Sequence, residues 1–539
     1  MLKPLRSRLV LVALVAGVLL PALALAQART LDVDQATIAD IAKALDAGTL
    51  TVEQLVGMSL ARIKAYDEQG PKLNAIITLN PKALETARAL DAELKAGHRR
   101  SPLHGIPVVL KDNFDTADMP TTGGSVLLEG SLPPDDAFVV KKLRDAGAII
   151  LAKVNMSEFA SGSTHSSLGG QSLNPHDLAR SPSGSSGGTG VSVAAGYAPL
   201  GFGTDTGGSI RGPSTANGVV GLKPTHGLVS RDGIIPLALS FDTGGPLARH
   251  VADIAAVLSV VAGPDPADDA TAKIGTHPHA GYVEGLDAGA LKGARIGLAR
   301  DFLGQDEEVD WVVEAAVEAM KKAGATVVDV RYPKWLLDGM GDFYTAVRWP
   351  EFPTQIQAYL ATLKPGFPKN LGELIERSNQ FVATRPDGAG PNPSRWSLFK
   401  REAASGTMDD YEYKSVHDFV LPAIRTVVEG IFAAQQLDAI VYPTSPRRTG
   451  LIAAPPGGGG GGPSGTNIAN LSGFPDLIVP AGFTSDQLPV GISFFGTAFS
   501  EQKLLSLGYS FEQATHARRQ PVNTPTLPGE AIRVPQQEQ

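Results

Sequence analysis

Two glycine-rich segments that each contain serine carry the residues best suited to chemistry. They are Gly184-Ser-Ser-Gly-Gly188 and Gly203-Thr-Asp-Thr-Gly-Gly-Ser-Ile-Arg211, which place Ser185 and Ser209 24 positions apart. Glycine lacks a Cβ atom, so the backbone N–H groups of such loops can approach a bound anion closely. That anion could be a phosphate or the oxyanion of a reacting carbonyl group.

Lys111 is a candidate base for these serines. It ends the apolar run Ile106-Pro-Val-Val-Leu110, which is typical of a buried strand, and Asp112-Asn113 follow it. Burial favours the neutral amine of a lysine, which can accept a proton at neutral pH. Lys111 and the two loop serines could therefore form a nucleophile-and-base set that needs no histidine.

Two other motifs fit these glycines less well. Gly184–Gly188 matches the G-x-S-x-G pattern, with Ser186 as its nucleophile. That pattern follows a buried strand, however, whereas the polar segment Asp177–Ser183 precedes it here. A phosphate-binding P-loop requires a lysine directly after its glycines, and the sequence has none there.

The histidines define neither a catalytic site nor a metal site. A Ser-His-Asp triad that uses His104, His226 or His250 stays open, because neither order nor spacing singles out one of them. His277-Pro-His279 has no third ligand nearby and predicts a solvated loop. We therefore expect no metal and no cofactor.

The composition excludes several classes of protein. Hydrophobic residues make up 43% and charged residues 19%, which is typical of a globular protein. The net charge of −8 gives no basic footprint for nucleic acid. The chain contains no cysteine, which excludes disulfide bonds and a cysteine nucleophile.

The N-terminus has the pattern of a secretory signal peptide over residues 1–26. A positively charged start is followed by the apolar run Leu9–Leu20 and by the small-residue cleavage site Ala24-Leu25-Ala26. The apolar run is too short to span a membrane. We therefore expect an exported protein, periplasmic or secreted, without a stable membrane anchor after cleavage.

Short apolar runs and helical patterns alternate along the rest of the chain. We predict strands over residues 73–78, 107–111, 148–153, 294–298, 325–330, 438–442, 477–480 and 489–494, and helices over 34–47, 51–68, 81–96, 137–146 and 307–323. Continuous apolar strands alternating with helices predict an α/β fold with a mostly parallel or mixed sheet covered by helices on both faces.

Two segments interrupt this alternation. Residues 343–413 are rich in aromatics and prolines, which predicts a helical insertion over the sheet edge where substrate specificity could be set. Residues 455–465 contain six consecutive glycines, Gly457–Gly462, which predict a flexible surface loop or a mobile rim of the substrate cleft.

Several motifs together resemble the amidase signature family of serine hydrolases. They are Leu103-His-Gly-Ile-Pro107, Lys111-Asp-Asn113, Met119-Pro-Thr-Thr122, Lys153-Val-Asn-Met-Ser-Glu158, the two glycine-serine segments, Gly218-Val-Val-Gly-Leu-Lys-Pro-Thr225, Asp242-Thr-Gly-Gly-Pro246 and Leu488-Pro-Val-Gly-Ile492. Gly227-Leu-Val-Ser-Arg-Asp-Gly-Ile-Ile-Pro236 resembles the branch that contains bacterial peptide amidases, which remove the C-terminal amide of peptides. The resemblance implies a single domain over 27–539, with its core signature at about 103–250 and a mixed sheet of about eleven strands.

The resemblance also implies roles for individual residues. Ser209 would be the nucleophile, and Ser185, expected on a cis peptide, would relay its proton to Lys111. The backbone N–H groups of Thr206, Gly207, Gly208 and Ser209 would hold the oxyanion. Ser186, Asp205 and Arg211 would support the loops.

The expected activity is hydrolysis of a small-molecule or peptide carboxamide through an acyl-enzyme. An aryl-amide, ester or carbamate hydrolase on the same site is an alternative, because these substrates share acyl-transfer chemistry. A transamidation-complex amidase subunit would require a cytoplasmic tRNA-binding partner, and the signal peptide argues against it. A non-catalytic binding protein should have lost Lys111, Ser185 or Ser209, and none is lost. The sequence leaves the oligomeric state open.

Overall fold

Residues 29–161, 165–275, 277, 280–384, 392–453 and 464–535 are described by the structure, a computed structural model of the chain; residues 382–384 are described by their backbone alone. The predicted signal peptide and the six-glycine run lie outside these residues. Among the residues described, no helix combines the length and apolar character needed to cross a membrane.

Fifteen strands are described, eleven of which form one sheet. The strands are β1 Arg29–Asp32, β2 Ile76–Leu79, β3 Pro107–Lys111, β4 Ile149–Val154, β5 His165–Ser166, β6 Gly170–Gln171, β7 Leu200–Asp205, β8 Val220–Lys223, β9 Thr243–Ala248, β10 Arg295–Ala299, β11 Thr326–Val330, β12 Ala439–Pro443, β13 Asp476–Phe483, β14 Pro489–Phe495 and β15 Ala531–Val534.

Fifteen α-helices are described with them. They are α1 Ile38–Asp46, α2 Val52–Arg62, α3 Ala83–Lys95, α4 Phe138–Asp145, α5 Gly187–Ala194, α6 Arg211–Ala216, α7 Val251–Val261, α8 Glu307–Lys322, α9 Lys334–Thr362, α10 Leu371–Thr384, α11 Pro393–Ala403, α12 Tyr411–Ser415, α13 Leu421–Gln435, α14 Gly465–Ser472 and α15 Glu501–Thr515.

The central sheet has the strand order β11-β10-β12-β14-β13-β8-β9-β7-β3-β4-β2. Strand β3 runs parallel to β4 and β7, whereas β9 pairs antiparallel to both β7 and β8. Every residue of β3, β4, β7 and β9 is buried, so both faces of this part of the sheet are covered. The predicted mixed sheet of about eleven strands is confirmed.

The local signals at helix starts explain where the predicted helices begin. The Thr51 side chain accepts from the Gln54 N–H and the Gln54 side chain accepts in return, which is the predicted capping box of α2. Thr37 caps α1 in the same way through Asp40, so this helix begins four residues later than predicted. The predicted helix over 51–68 is α2 followed by a π-helical turn over Ile63–Glu68.

The predictions miss three strands next to the glycine-serine segments. They are β7, β8 and β9, whose sequences LGFGTD, VGLK and TGGPLA are rich in glycine and poor in β-branched residues. Such sequences have low intrinsic strand propensity. Tertiary packing compensates, because all three strands lie between buried neighbours in the middle of the sheet.

The predicted insertion is helical but longer than predicted, since helices α9 to α13 extend from Lys334 to Gln435. Helices α9, α12 and α13 share an apolar cluster with the β11-β10-β12 end of the sheet, in which Leu336 and Leu421 pack with Val330 and Ile440. This cluster holds these helices over one end of the sheet.

Candidate active site

Lys111 lies at the end of β3 and is fully buried. Its Nζ donates to Ser185 Oγ at 2.7 Å and to Thr204 Oγ1 at 2.7 Å. No carboxylate of the described chain lies within ion-pair distance of it. Burial lowers the pKa of Lys111 to about 7, and Asp205 and Asp242 only partly oppose this effect. A neutral amine, able to accept a proton, is therefore well populated at neutral pH.

Ser185 lies in the first glycine-serine loop, directly before α5, and is almost fully buried. The Gly184–Ser185 peptide bond is cis, as the family resemblance implies. The Ser157 N–H donates to the Ser185 carbonyl at 3.0 Å. Glycine is required at position 188, because a Cβ there would lie 2.4 Å from the backbone oxygen of Asn155. This close approach fixes the loop against the chain that follows β4.

Ser209 lies in the loop between β7 and α6 and is half-buried. The Ser186 N–H donates to the Ser209 carbonyl at 3.2 Å, so the two glycine-serine loops meet directly. Ser186 Oγ donates to the Thr204 carbonyl at 3.2 Å. Lys111, Ser185 and Ser209 are thus gathered at one place from three separate segments.

Asp205 and Arg211 brace the Ser209 loop. Arg211 donates from Nε and Nη2 to the two carboxylate oxygens of Asp205 at 3.0 and 2.9 Å, and from Nη1 to Asp476 at 3.0 Å. All three side chains are fully buried. Burial alone would raise the pKa of Asp205, but the Arg211 guanidinium holds it well below its usual range. Their predicted supporting role is consistent with this geometry.

The backbone of the loop corrects one part of the predicted oxyanion site. The Gly208 N–H donates to Asp205 Oδ1 at 2.8 Å, and the Ile210 N–H donates to Asp205 Oδ2 at 2.9 Å. Because its N–H is already bonded to a carboxylate, Gly208 is not free to donate to an oxyanion, contrary to the prediction. Gly208 instead supplies a φ of +111°, which favours glycine. Thr206, Gly207 and Ser209 remain as predicted donors.

Four further residues belong to this site. Thr204 receives hydrogen bonds from Lys111 and from Asn113 Nδ2, which lies 3.1 Å away. Asp242 accepts from the Thr206 hydroxyl and from the Leu237 N–H. The Tyr344 hydroxyl lies 3.0 Å from where a Cβ of Gly207 would be. Thr204, Asn113 and Asp242 are inside the motifs quoted above, whereas no local sequence pattern points to Tyr344.

The three histidines considered for a triad are structural. His104 is fully buried and its Nε2 contacts the Leu90 carbonyl at 3.1 Å. The His226 Nε2 contacts the Leu239 carbonyl at 2.8 Å. Burial lowers the pKa of His226 and of His250 to about 3. None of these rings contacts Lys111, Ser185 or Ser209 in the described part of the chain.

Comparison with known proteins assigns the chain to a family. The sequence profile of the Amidase family matches residues 54–505. The chain belongs to the Amidase family. It is accordingly an amide-hydrolysing enzyme with the amidase signature fold, as its sequence motifs imply.

The relatives of this amidase include two kinds of protein. The glutamyl-tRNA(Gln) amidotransferase A subunit of Chloroflexus aggregans is 37% identical over 505 residues, which cover 90% of this chain and 97% of that protein. Peptide amidase from Stenotrophomonas maltophilia superposes with a TM-score of 0.84 at 39% identity, over 91% of this chain and 99% of that one. The corresponding amidotransferase protein of Thermotoga maritima superposes with a TM-score of 0.70 at 28% identity, over 91% and 98%.

Replacing Arg211 by methionine is expected to lower the free energy of unfolding by about 3–5 kcal/mol, because it leaves the buried Asp205 and Asp476 carboxylates unpaired. Urea unfolding measures this loss. Lys334→Met is the matched control, since it removes an exposed partner of Asp338 and should change stability little. Equal effects of the two substitutions would contradict the bracing role of Arg211.

Proposed function

We propose that this amidase is an exported hydrolase that removes the amide group of C-terminally amidated peptides through an acyl-enzyme. The observation that carries the chemistry is the 2.7 Å hydrogen bond from Lys111 to Ser185, beside the loop that holds Ser209. The close structural likeness to a peptide amidase supports the choice of substrate. The pattern of residues 1–26 supports export.

The reaction begins with attack of Ser209 Oγ on the carbonyl carbon of the substrate amide. The proton of Ser209 passes to Ser185, while Ser185 gives its own proton to the neutral amine of Lys111. The negative charge on the carbonyl oxygen is held by the backbone N–H groups of Thr206, Gly207 and Ser209. Collapse of this intermediate breaks the C–N bond, and the same relay returns the proton to the departing ammonia.

The acyl-enzyme is then hydrolysed with Ser185 and Lys111 acting on water in place of Ser209. Water gives a proton through Ser185 to Lys111 and attacks the ester carbonyl of acylated Ser209. The second collapse releases a carboxylate and restores the Ser209 hydroxyl. The overall reaction converts an amide and water into a carboxylate and ammonia.

Expression of the full chain, followed by assay of the cell fractions, tests this function. We expect ammonia release from an amidated peptide such as N-acetyl-Leu-Phe-amide in the exported fraction, together with the free-acid product by mass spectrometry. Ser209→Ala is the matched control preparation. Faster turnover of anilides, esters or carbamates than of peptide amides would favour the aryl-amide, ester or carbamate alternative.

The similarity to amidotransferase A subunits supports a second candidate, the amidase subunit of a transamidation complex. This candidate predicts that the chain stays in the cytoplasm, is inactive on peptide amides and releases ammonia from glutamine only with partner subunits. The lower TM-score with the Thermotoga maritima protein favours the peptide amidase. Peptide-amide turnover by the isolated chain would decide against the transamidation candidate.

A further inference from the structure

A cavity of 570 Å³, distinct from the candidate active site, lies between the helical insertion and the loops that follow β8 and β14. Neither Lys111, Ser185 nor Ser209 lines it. Asn470 of α14 forms part of its wall and donates from Nδ2 to Asp205 at 2.9 Å. The cavity therefore adjoins Asn470, which with Asp205 braces the Ser209 loop, and does not reach Ser209 itself.

Three cationic side chains face this cavity, namely Arg231, Lys273 and Arg425. Arg231 is paired with Asp268. Lys273 is exposed and Arg425 is half-buried, and neither forms an ion pair or hydrogen bond with the described part of the chain. Partial removal from water, with Arg425 and Arg231 nearby, lowers the pKa of Lys273. These cations repel one another, and a bound anion would relieve that repulsion.

Glu351 is the one carboxylate that lines the cavity among the described residues, so it offsets only part of the charge of these cations. Glu351 already accepts from the Ser240 N–H at 3.1 Å, from Gln355 Nε2 at 3.0 Å and from the Tyr413 hydroxyl at 2.9 Å. Its carboxylate is thus fully engaged by neutral donors. His226 also lines the cavity, and its lowered pKa keeps it neutral at pH 7.

The rest of the lining contains both apolar and neutral polar residues. The apolar side chains that keep exposed surface are Leu239, Met408 and Phe499, whereas Leu421, Leu471 and Phe474 are almost fully buried. A cavity with apolar side chains and a few convergent polar groups is the usual form of a small-molecule site. The exposed apolar side chains would bind the body of a ligand, and the cations would bind its charged end.

We propose that this cavity is a second binding site, which takes a small organic anion made of a carboxylate joined to an apolar body. The carboxylate lies between Lys273 and Arg425, and the apolar body packs against Leu239, Met408 and Phe499. Binding at this cavity does not depend on which substrate the active site takes, because Lys111, Ser185 and Ser209 do not line the cavity.

Isothermal titration calorimetry with 4-phenylbutyrate tests this site. We expect saturable binding at this cavity, and at least about tenfold weaker binding of 4-phenylbutylamine and of inorganic sulfate, which lack the carboxylate and the apolar body respectively. The double variant Lys273→Ala/Arg425→Ala should weaken 4-phenylbutyrate binding by at least about tenfold, since it removes two charged donors.

Lys322→Ala/Arg401→Ala is the matched control, because it removes the same charge from exposed positions outside the cavity. Its affinity for 4-phenylbutyrate should equal that of the unmodified protein. Lys273→Ala alone, at an exposed position, serves if the double variant does not fold. The proposal is overturned by an absence of saturable binding, by equal affinity for the amine, or by equal affinities of the cavity variants and the control.

Discussion

Ser209→Ala is expected to abolish amide turnover and to leave the fold unchanged. Ser209 is half-buried in the loop between β7 and α6. Its carbonyl, not its hydroxyl, accepts the hydrogen bond from the Ser186 N–H. Removal of a nucleophilic serine from a hydrolase lowers turnover by about 10⁴-fold or more. Ammonia release from the amidated peptide measures the loss, and circular dichroism confirms the fold.

Ser192→Ala is the matched control for this experiment. Ser192 lies on α5, close in sequence to the first glycine-serine loop, and its buried hydroxyl has no hydrogen-bond partner in the described chain. Its loss should leave turnover nearly unchanged. Retention of turnover by Ser209→Ala would show that another residue is the nucleophile. Mass spectrometry after reaction with an ester substrate would locate the acyl group.

Lys111→Met is expected to lower turnover by about 10²- to 10⁴-fold, which is the range for a positioned general base. The pH dependence gives the more specific result. Only the neutral amine accepts a proton, and the pKa of Lys111 is about 7. The value of kcat/KM should therefore rise as the pH increases through 7 and level off above it, and Lys111→Met should lose this rise.

Lys223→Met is the matched control for the pH profile. Burial also lowers the pKa of Lys223 to about 7. Its Nζ, however, donates to the carbonyl groups of Pro224 and Phe474 and contacts neither Ser185 nor Ser209. The Lys223 variant should keep the rise near pH 7. If the rise disappears in this variant and persists in Lys111→Met, Lys223 and not Lys111 controls the profile.

Much of the fold follows from local sequence. The bounds predicted for strand β3 are those observed, and α8 begins at the predicted Glu307, where the Asp306 side chain caps the helix. The outer strands β10, β11 and β12 have the apolar runs that periodicity detects. The inner strands β7, β8 and β9 lack such apolar runs, because several of their positions are glycines. These glycines leave room for closely packed neighbours. A Cβ at Gly201, for example, would lie 2.6 Å from Thr189.

Part of the candidate site can likewise be predicted from the sequence, and part depends on the tertiary fold. The motifs predict Lys111, Ser185 and Ser209 as the catalytic set, and the fold brings these three residues together. The motifs are not sufficient to find Tyr344, which belongs to the helical insertion and reaches Gly207 only through the tertiary fold. Residue types and motifs also do not predict that the Gly208 N–H donates to Asp205, because this bond depends on the orientation of the Asp205 carboxylate in the folded loop.

The family of this protein, and the prediction of a serine nucleophile with a lysine base, follow from its residue types and motifs. The contact between Lys111 and Ser185, 74 positions apart, and its complete burial follow only from the folded chain. A side chain keeps its type in any surroundings, but its pKa and hydrogen bonds depend on neighbours that distant strands bring together. The second glycine-serine loop lies near Lys111 because β3 and β7 pair in the sheet, and the first loop joins it through the hydrogen bond from the Ser186 N–H to the Ser209 carbonyl.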